Sequence, residues 1–320
     1  MVIAASNSGI VGGIGCGMMQ PAAISSAVEE IKAGTTSPFN VNLFVVDDLQ
    51  GYDVDGDNDK LSWLYDYYSA RGLDRPHPKS FAPKFDDQFE ALLAAQPPIA
   101  SFVFGCLDRD QVKALHDRDI AVVGAATTVE EAVKWESVNA DAIVLQGIEA
   151  GGHRCSFINA DDPGMPLKHL LEAVKGQVEL PLIAAGGLMS GGDVREVLSY
   201  GADYAQLGTS FLTTKESPIP PPYRDSLLAA QGKDTTLTKA FSGRLARGIV
   251  NRFTTHAQDA YTAPYPVQNA LTQPLRSSAS ANHRSDELSM WAGTGVGAVY
   301  DSPSTAEFVD RLQAEYSSCA

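Results

Sequence analysis

Short apolar runs alternate with polar segments of helical spacing along the first two thirds of the chain. The runs are Ile10–Gly15, Phe39–Val46, Ile99–Gly105, Ile120–Gly124, Asp141–Gln146, Pro181–Ala185 and Asp203–Leu207. They consist almost wholly of Val, Ile, Leu and Ala, the composition of strands buried on both faces of a parallel sheet. Between them, Arg109–Arg118, Val129–Val138, Leu167–Gly176 and Gly192–Tyr200 carry apolar residues at helical intervals. Such alternation predicts β/α units, either doubly wound or closed into a barrel. Seven strands are visible, whereas a closed barrel has eight. The opening "MVIAASNSG" reads as the end of a helix without its preceding strand. Either the chain starts late or another element fills the first position.

After Phe211 the rhythm stops. "PIPPP" (Pro218–Pro222) forms a stiff connector, and helices with loops are expected to the end. The expected division is a (β/α) barrel over 1–215, a mostly helical cap over 216–297 and a C-terminal helix packed on the barrel over 298–320. "YDVDGDNDK" (Tyr52–Lys60) resembles a calcium loop, but its glycine is misplaced and no glutamate closes it. It reads as a solvated acidic loop.

Composition narrows the possibilities. With 44% hydrophobic residues, the 320-residue chain can bury a full core. A net charge of −15 repels nucleic acid and anionic membranes. The four cysteines, Cys16, Cys106, Cys155 and Cys319, lie far apart and outside any metal-ligand spacing, as free thiols in a reducing compartment do. No metal is expected. No apolar run is long enough to span a membrane, and the N-terminus lacks the pattern of a secretory signal. The chain reads as cytoplasmic.

Two strand ends stop at glycine, at Gly186-Gly187 and at Gly208-Thr209. Backbone N–H groups at such turns can approach an anion closely, and in (β/α) barrels the last two loops commonly hold a phosphate. The alternative is that these glycines only permit tight turns. His153 follows a strand end, where barrel active sites form, on a Gly-Gly hinge. An imidazole with a midpoint near neutrality suits proton transfer or anion stabilisation. Gln146 offers a donor and an acceptor to a planar heterocycle. Arg154 either clamps an anion or pairs with a carboxylate. Cys155 reads as a small turn residue, because nothing nearby acidifies it.

Five segments in order, "QGIEAGGHR", "LPLIAAGGLMSGGDVREVLSYGADYAQLGTSFL", "AFSGRLARGIVNRF", "YPVQNALTQPLR" and "WAGTGVG", resemble the nitronate monooxygenases, also called the 2-nitropropane dioxygenase family, most closely its class I. The resemblance runs from Val2 to Gly297. It implies an α/β fold, a (β/α)8 TIM-type barrel lacking its first strand here, with a mostly helical cap and bound FMN. By motif, Asn42, Gln146, Gly151, Gly186, Gly187, Gln206, Leu207, Gly208 and Thr209 correspond to FMN contacts, with the last two turns at its phosphate. His153 matches the active-site histidine, and Tyr265 and Trp291 either wall the pocket or anchor packing. The implied reaction passes an electron from an alkyl nitronate, such as propionate 3-nitronate, to FMN and another to dioxygen. It yields an aldehyde or oxo acid with nitrite or nitrate. The implied partners are the nitronate and dioxygen, with the chain a monomer or homodimer.

Two departures stand out. The family's first strand carries a turn that touches FMN, and glycine often follows "GGHR" where this chain has Cys155. An enoyl-acyl-carrier-protein reductase or NADH:quinone reductase on the same barrel is the nearest rival. An IMP dehydrogenase-like enzyme ranks lower, because the "GSIC" loop is missing. A non-catalytic flavin-binding protein is a further alternative.

Overall fold

The computed structural model describes residues 1–318; Cys319 lies outside them. In chain order the main elements are α1 (Val2–Asn7), β1 (Gly12–Gly15), α2 (Pro21–Gly34), β2 (Phe39–Phe44), α3 (Asn58–Ser69), α4 (Phe85–Ala95) and β3 (Ile99–Val103). Next come α5 (Arg109–His116), β4 (Ala121–Ala126), α6 (Val129–Ser137), β5 (Ala142–Gln146), β6 (Gly152–His153), α7 (Leu167–Val174), β7 (Leu182–Ala185), α8 (Gly191–Ser199) and β8 (Tyr204–Gln206). The remainder holds α9 (Pro221–Ala229), β9 (Thr235–Thr238), β10 (Ala246–Ile249), α10 (Arg252–His256), α11 (Val267–Ala281) and α12 (Thr305–Ser318).

Seven strands form one parallel sheet in the order β1-β2-β3-β4-β5-β7-β8, curled into a half-barrel. All seven apolar runs of the sequence are found in it. The sheet stays open between β1 and β8, each of which has a single neighbour. Period-two alternation sorts its faces. Val41, Leu43, Phe102, Ile143 and Leu145 are fully buried in the main core that the helices also line. The other face carries small or polar groups: Asn42, Ser101, Val144 and Ala185. Large residues outside and small ones inside leave space at the centre of the curl.

Local signals position the helices. Thr128 caps α6 by accepting from the Glu131 N–H at 3.2 Å, and Ser190 with Asp193 makes a reciprocal capping box on α8. Trp135 of α6 packs flat on Gly124, where an added Cβ would meet the indole at 2.1 Å. Its Nε1 donates to Ala125 C=O at 3.0 Å. The C-terminal helix α12 lies on α8 and α1, with Gly191 against the Leu312 carbonyl.

A second core joins two distant stretches of chain. Leu61, Leu64, Tyr67 and Tyr68 of α3 pack with Phe241, Phe253, Val267, Leu271 and Leu275. The acidic loop belongs to this unit, because Asp57 accepts from Lys60 at 2.8 Å, from Tyr261 at 2.7 Å and from Tyr52. The Lys60 ammonium and the two phenols hold its carboxyl down at about 2. Beyond the helices expected after Phe211, the structure adds a three-stranded antiparallel ribbon, β6-β10-β9. Its strands have two to four residues each, too short for a period to register.

Helix α11 contains Pro274, which supplies no N–H and opens the helical ladder. Tyr68 spans the opened turn: its hydroxyl donates to Leu271 C=O at 2.7 Å and accepts from Leu275 N–H at 3.0 Å. Tyr68→Phe therefore leaves two buried backbone groups short of a partner. We expect a loss of about 1–3 kcal/mol in a denaturant melt.

Candidate active site

The C-terminal ends of the strands surround a cleft of about 690 Å³, part of it open to solvent. That size suits a small-molecule or cofactor site. Asn42, Gln146, Gly151, Gly186, Gly187, Gln206, Gly208 and Thr209 all border it. Leu207 does not; its side chain packs on the main core, as alternation between two cleft-facing neighbours requires.

The two late turns form a donor set. Gly186 and Gly187 have φ of +125° and +75°, which an L side chain rarely adopts. At Gly208 an added Cβ would meet nothing within 4 Å, so its missing side chain leaves room beside the cleft. The N–H groups of Gly187, Leu188, Gly208 and Thr209 have no acceptor among the described residues. Unpaired amide donors around an open space form an anion-binding concavity. Thr209 accepts from Gly293 N–H at 3.0 Å through Oγ1, which ties this turn to the cap.

His153 stands next to this cleft on β6, whose pairing with β10 sets Ala246 opposite it. Its backbone is held by Gln146: Nε2 donates to His153 C=O at 3.0 Å, and Oε1 accepts from Cys155 N–H at 3.0 Å. These two bonds fix the amide orientation and commit Gln146 first to the loop, not to a heterocycle. Arg154 is fully buried and neither clamps an anion nor pairs with a carboxylate. It donates to Gly147 C=O at 2.6 Å and Gln146 C=O at 2.9 Å, carbonyls left free where β5 ends. Cys155 lines the cleft as a thiol pushed up to about 11 by burial.

The imidazole is packed among Phe104, Tyr265 and Trp291, with ring centroids 5.6, 5.9 and 5.2 Å away. Tyr265 reaches across to the loop after β1, donating to Met18 Sδ at 3.3 Å, and Trp291 also packs on Phe241. Phe104 holds φ at +74°, a strained conformation for a bulky residue, which costs about 1–3 kcal/mol. The Arg244 guanidinium lies 4.2 Å from its ring centroid. His153 Nε2 is 2.8 Å from Ser242 Oγ, and Nδ1 has no hydrogen-bond partner among the described residues. Phe104, Ser242, Arg244 and Arg276 were not singled out by the sequence reading. They come from loops and helices up to 172 positions apart, and only the "FSGR" and "YPVQNALTQPLR" motifs hinted at them.

The expected neutral-range midpoint of His153 is corrected by this setting. Burial, then the charges of Arg244 and Arg276, push it down to about 3.

A family model described as nitronate monooxygenase matches residues 1–315. The chain belongs to the nitronate monooxygenase family. It is thus an oxidoreductase. A probable nitronate monooxygenase of Staphylococcus aureus (strain MRSA252) is 36% identical over 92% of this chain and 84% of that protein. A crystal structure of nitroalkane oxidase from Streptomyces ansochromogenes superposes with a TM-score of 0.91 at 32% identity, covering 99% of this chain and 91% of that one. FabK from Thermotoga maritima has a TM-score of 0.77 at 22% identity, over 99% of this chain and 88% of that one; the likeness is one of fold. No helix among the described residues is long and apolar enough to cross a membrane.

The pH dependence of this family member carries a signature of His153. Because the unfolded chain binds its proton near pH 6.5 and the folded one near 3, its stabilisation is complete above 6.5 and is lost as the pH falls towards 3. Ring ¹⁵N shifts of His153 should stay those of neutral imidazole at pH 5. His153→Asn should flatten the acid loss of stability by up to about 1 kcal/mol per pH unit, as read by denaturant melts at pH 4, 5 and 6.

Proposed function

We propose that this protein binds FMN and oxidises alkyl nitronates such as propionate 3-nitronate with dioxygen, giving an aldehyde or oxo acid with nitrite or nitrate. The residues present fit the cofactor. The free N–H groups of Gly187, Leu188, Gly208 and Thr209 would take its phosphate, with Asn42, Gln146, Gly151 and Gln206 bordering the rest of the cleft. When bound, FMN supplies the electron-accepting chemistry.

The observation that carries the choice of substrate is the state of His153. A base held near 3 cannot take a proton from a weak carbon acid at neutral pH. A nitronate is already deprotonated and needs no base. The neutral imidazole serves instead as an oriented donor. Ser242 Oγ has one hydrogen to give, either to His153 Nε2 at 2.8 Å or to Arg244 C=O at 3.1 Å. Given to Nε2, it leaves the ring proton on Nδ1, and an anion beside the ring favours that tautomer. Phe104, Tyr265 and Trp291 exclude water from this side, which strengthens each fixed donor. The positive field of Arg244 and Arg276 attracts the anionic substrate into a chain whose net charge is −15.

The purified protein should be yellow and should consume oxygen with propionate 3-nitronate, while anaerobic NADH leaves its flavin oxidised. His153→Asn should keep FMN and lower kcat/KM by about tenfold or more; unchanged turnover removes His153 from the mechanism. Gly208→Val fills the open space beside the phosphate donors. Ultrafiltration with fluorescence of released FMN should show at least about tenfold weaker retention.

A further inference from the structure

Arg276 is a buried cation without an anion. Nη2 donates to Asn269 C=O at 2.7 Å and to Asn269 Oδ1 at 2.9 Å, both uncharged acceptors on the same helix. Nε is shielded from solvent and has no acceptor. Among the described residues no carboxylate lies within ion-pair distance of it. The ionisable groups that oppose its charge are the phenols of Tyr68 and Tyr265. Leaving a guanidinium in that state costs several kcal/mol. The chain has 39 acidic residues from which a partner could be drawn. The same unit does neutralise another arginine, because Arg71 Nε meets Glu287 Oε1 at 2.5 Å. The unpaired state is therefore particular to Arg276.

Its position gives the reason. Arg276 acts through its charge on both His153 and Tyr265, whose rings are 5.9 Å apart. Its place on α11 is fixed by the turn that Tyr68 spans at Pro274, so the guanidinium is held beside the site. We infer that Arg276 is a specificity-determining residue: it binds a carboxylate carried by the substrate away from the reacting carbon, so that the site selects nitronates bearing a second anionic group. This inference rests on the nitronate reading above. Arg244 does not share the role, because its guanidinium already donates to the Arg154 and Ser156 carbonyls.

The test compares propionate 3-nitronate with propyl-1-nitronate, which lacks the carboxylate, on FMN-loaded wild type, Arg276→Met and Arg276→Lys. The kcat/KM ratio of the two substrates should fall by about 10–100-fold in Arg276→Met, mainly through KM, and recover in part in Arg276→Lys. Calorimetric titration with 3-nitropropionate, which carries the carboxylate but is not a nitronate, should show binding weakened by a similar factor. Removing an uncompensated buried charge should also raise the Tm of Arg276→Met. An unchanged substrate ratio together with unchanged 3-nitropropionate affinity overturns the inference. If wild type turns over neither nitronate but still binds 3-nitropropionate in an Arg276-dependent way, the subsite stands and the proposed reaction falls. Should Arg276→Met fail to fold, Arg276→Lys and Arg276→Gln give the same ratio and titration.

Discussion

The structure depends on how one loop is fastened to the end of one strand. At the end of β5, Gln146 supplies an amide that grips His153 C=O and Cys155 N–H, and Arg154 turns back to cover the carbonyls of Gln146 and Gly147. Buried backbone groups must be paired, and here each end of the loop satisfies the other. Glu131 pins the next residues by accepting from Phe157 and Ile158 N–H at 2.5 and 3.0 Å. Between these fasteners the loop can hold an imidazole in one place. Without them His153 would sit on two mobile glycines.

The same loop is the hinge between the barrel and the ribbon. Gly151 approaches the Ala292–Gly293 backbone so closely that a Cβ would lie 2.5 Å from Gly293 N. His153 pairs with Ala246, and Gly248 bridges to Trp291. Segments distant in the chain thereby converge on the cleft. Small residues are needed where three backbones meet, and large aromatic ones where the cleft must be kept dry. Phe104 bears backbone strain at this junction, as residues held by a functional site often do.

The charge distribution inverts locally. A strongly acidic chain places Arg244 and Arg276 beside a neutral His153, with no carboxylate near Arg276. An anion entering the site meets donors already oriented and needs no proton transfer to bind. The phosphate donors at Gly187 and Gly208 follow the same logic with uncharged N–H groups.

Local pattern was enough for the barrel. Each of the seven strands is an apolar run bounded by turn residues, and the missing eighth was visible as an alternation one strand short. Burial on both faces of a parallel strand writes itself into sequence. The glycine turns were legible for a related reason: Gly187 stands at a φ that other residues avoid, so its identity reports the geometry. His153 was legible only as a residue at a strand end. Its neutrality, the commitment of Gln146 and Arg154 to the backbone, and the unpaired guanidinium of Arg276 were not. Each depends on which groups lie within a few ångströms across the fold, and desolvation and Coulomb terms are set by that arrangement rather than by neighbours in the chain. Sequence periodicity determined the scaffold; tertiary contact decided the chemistry.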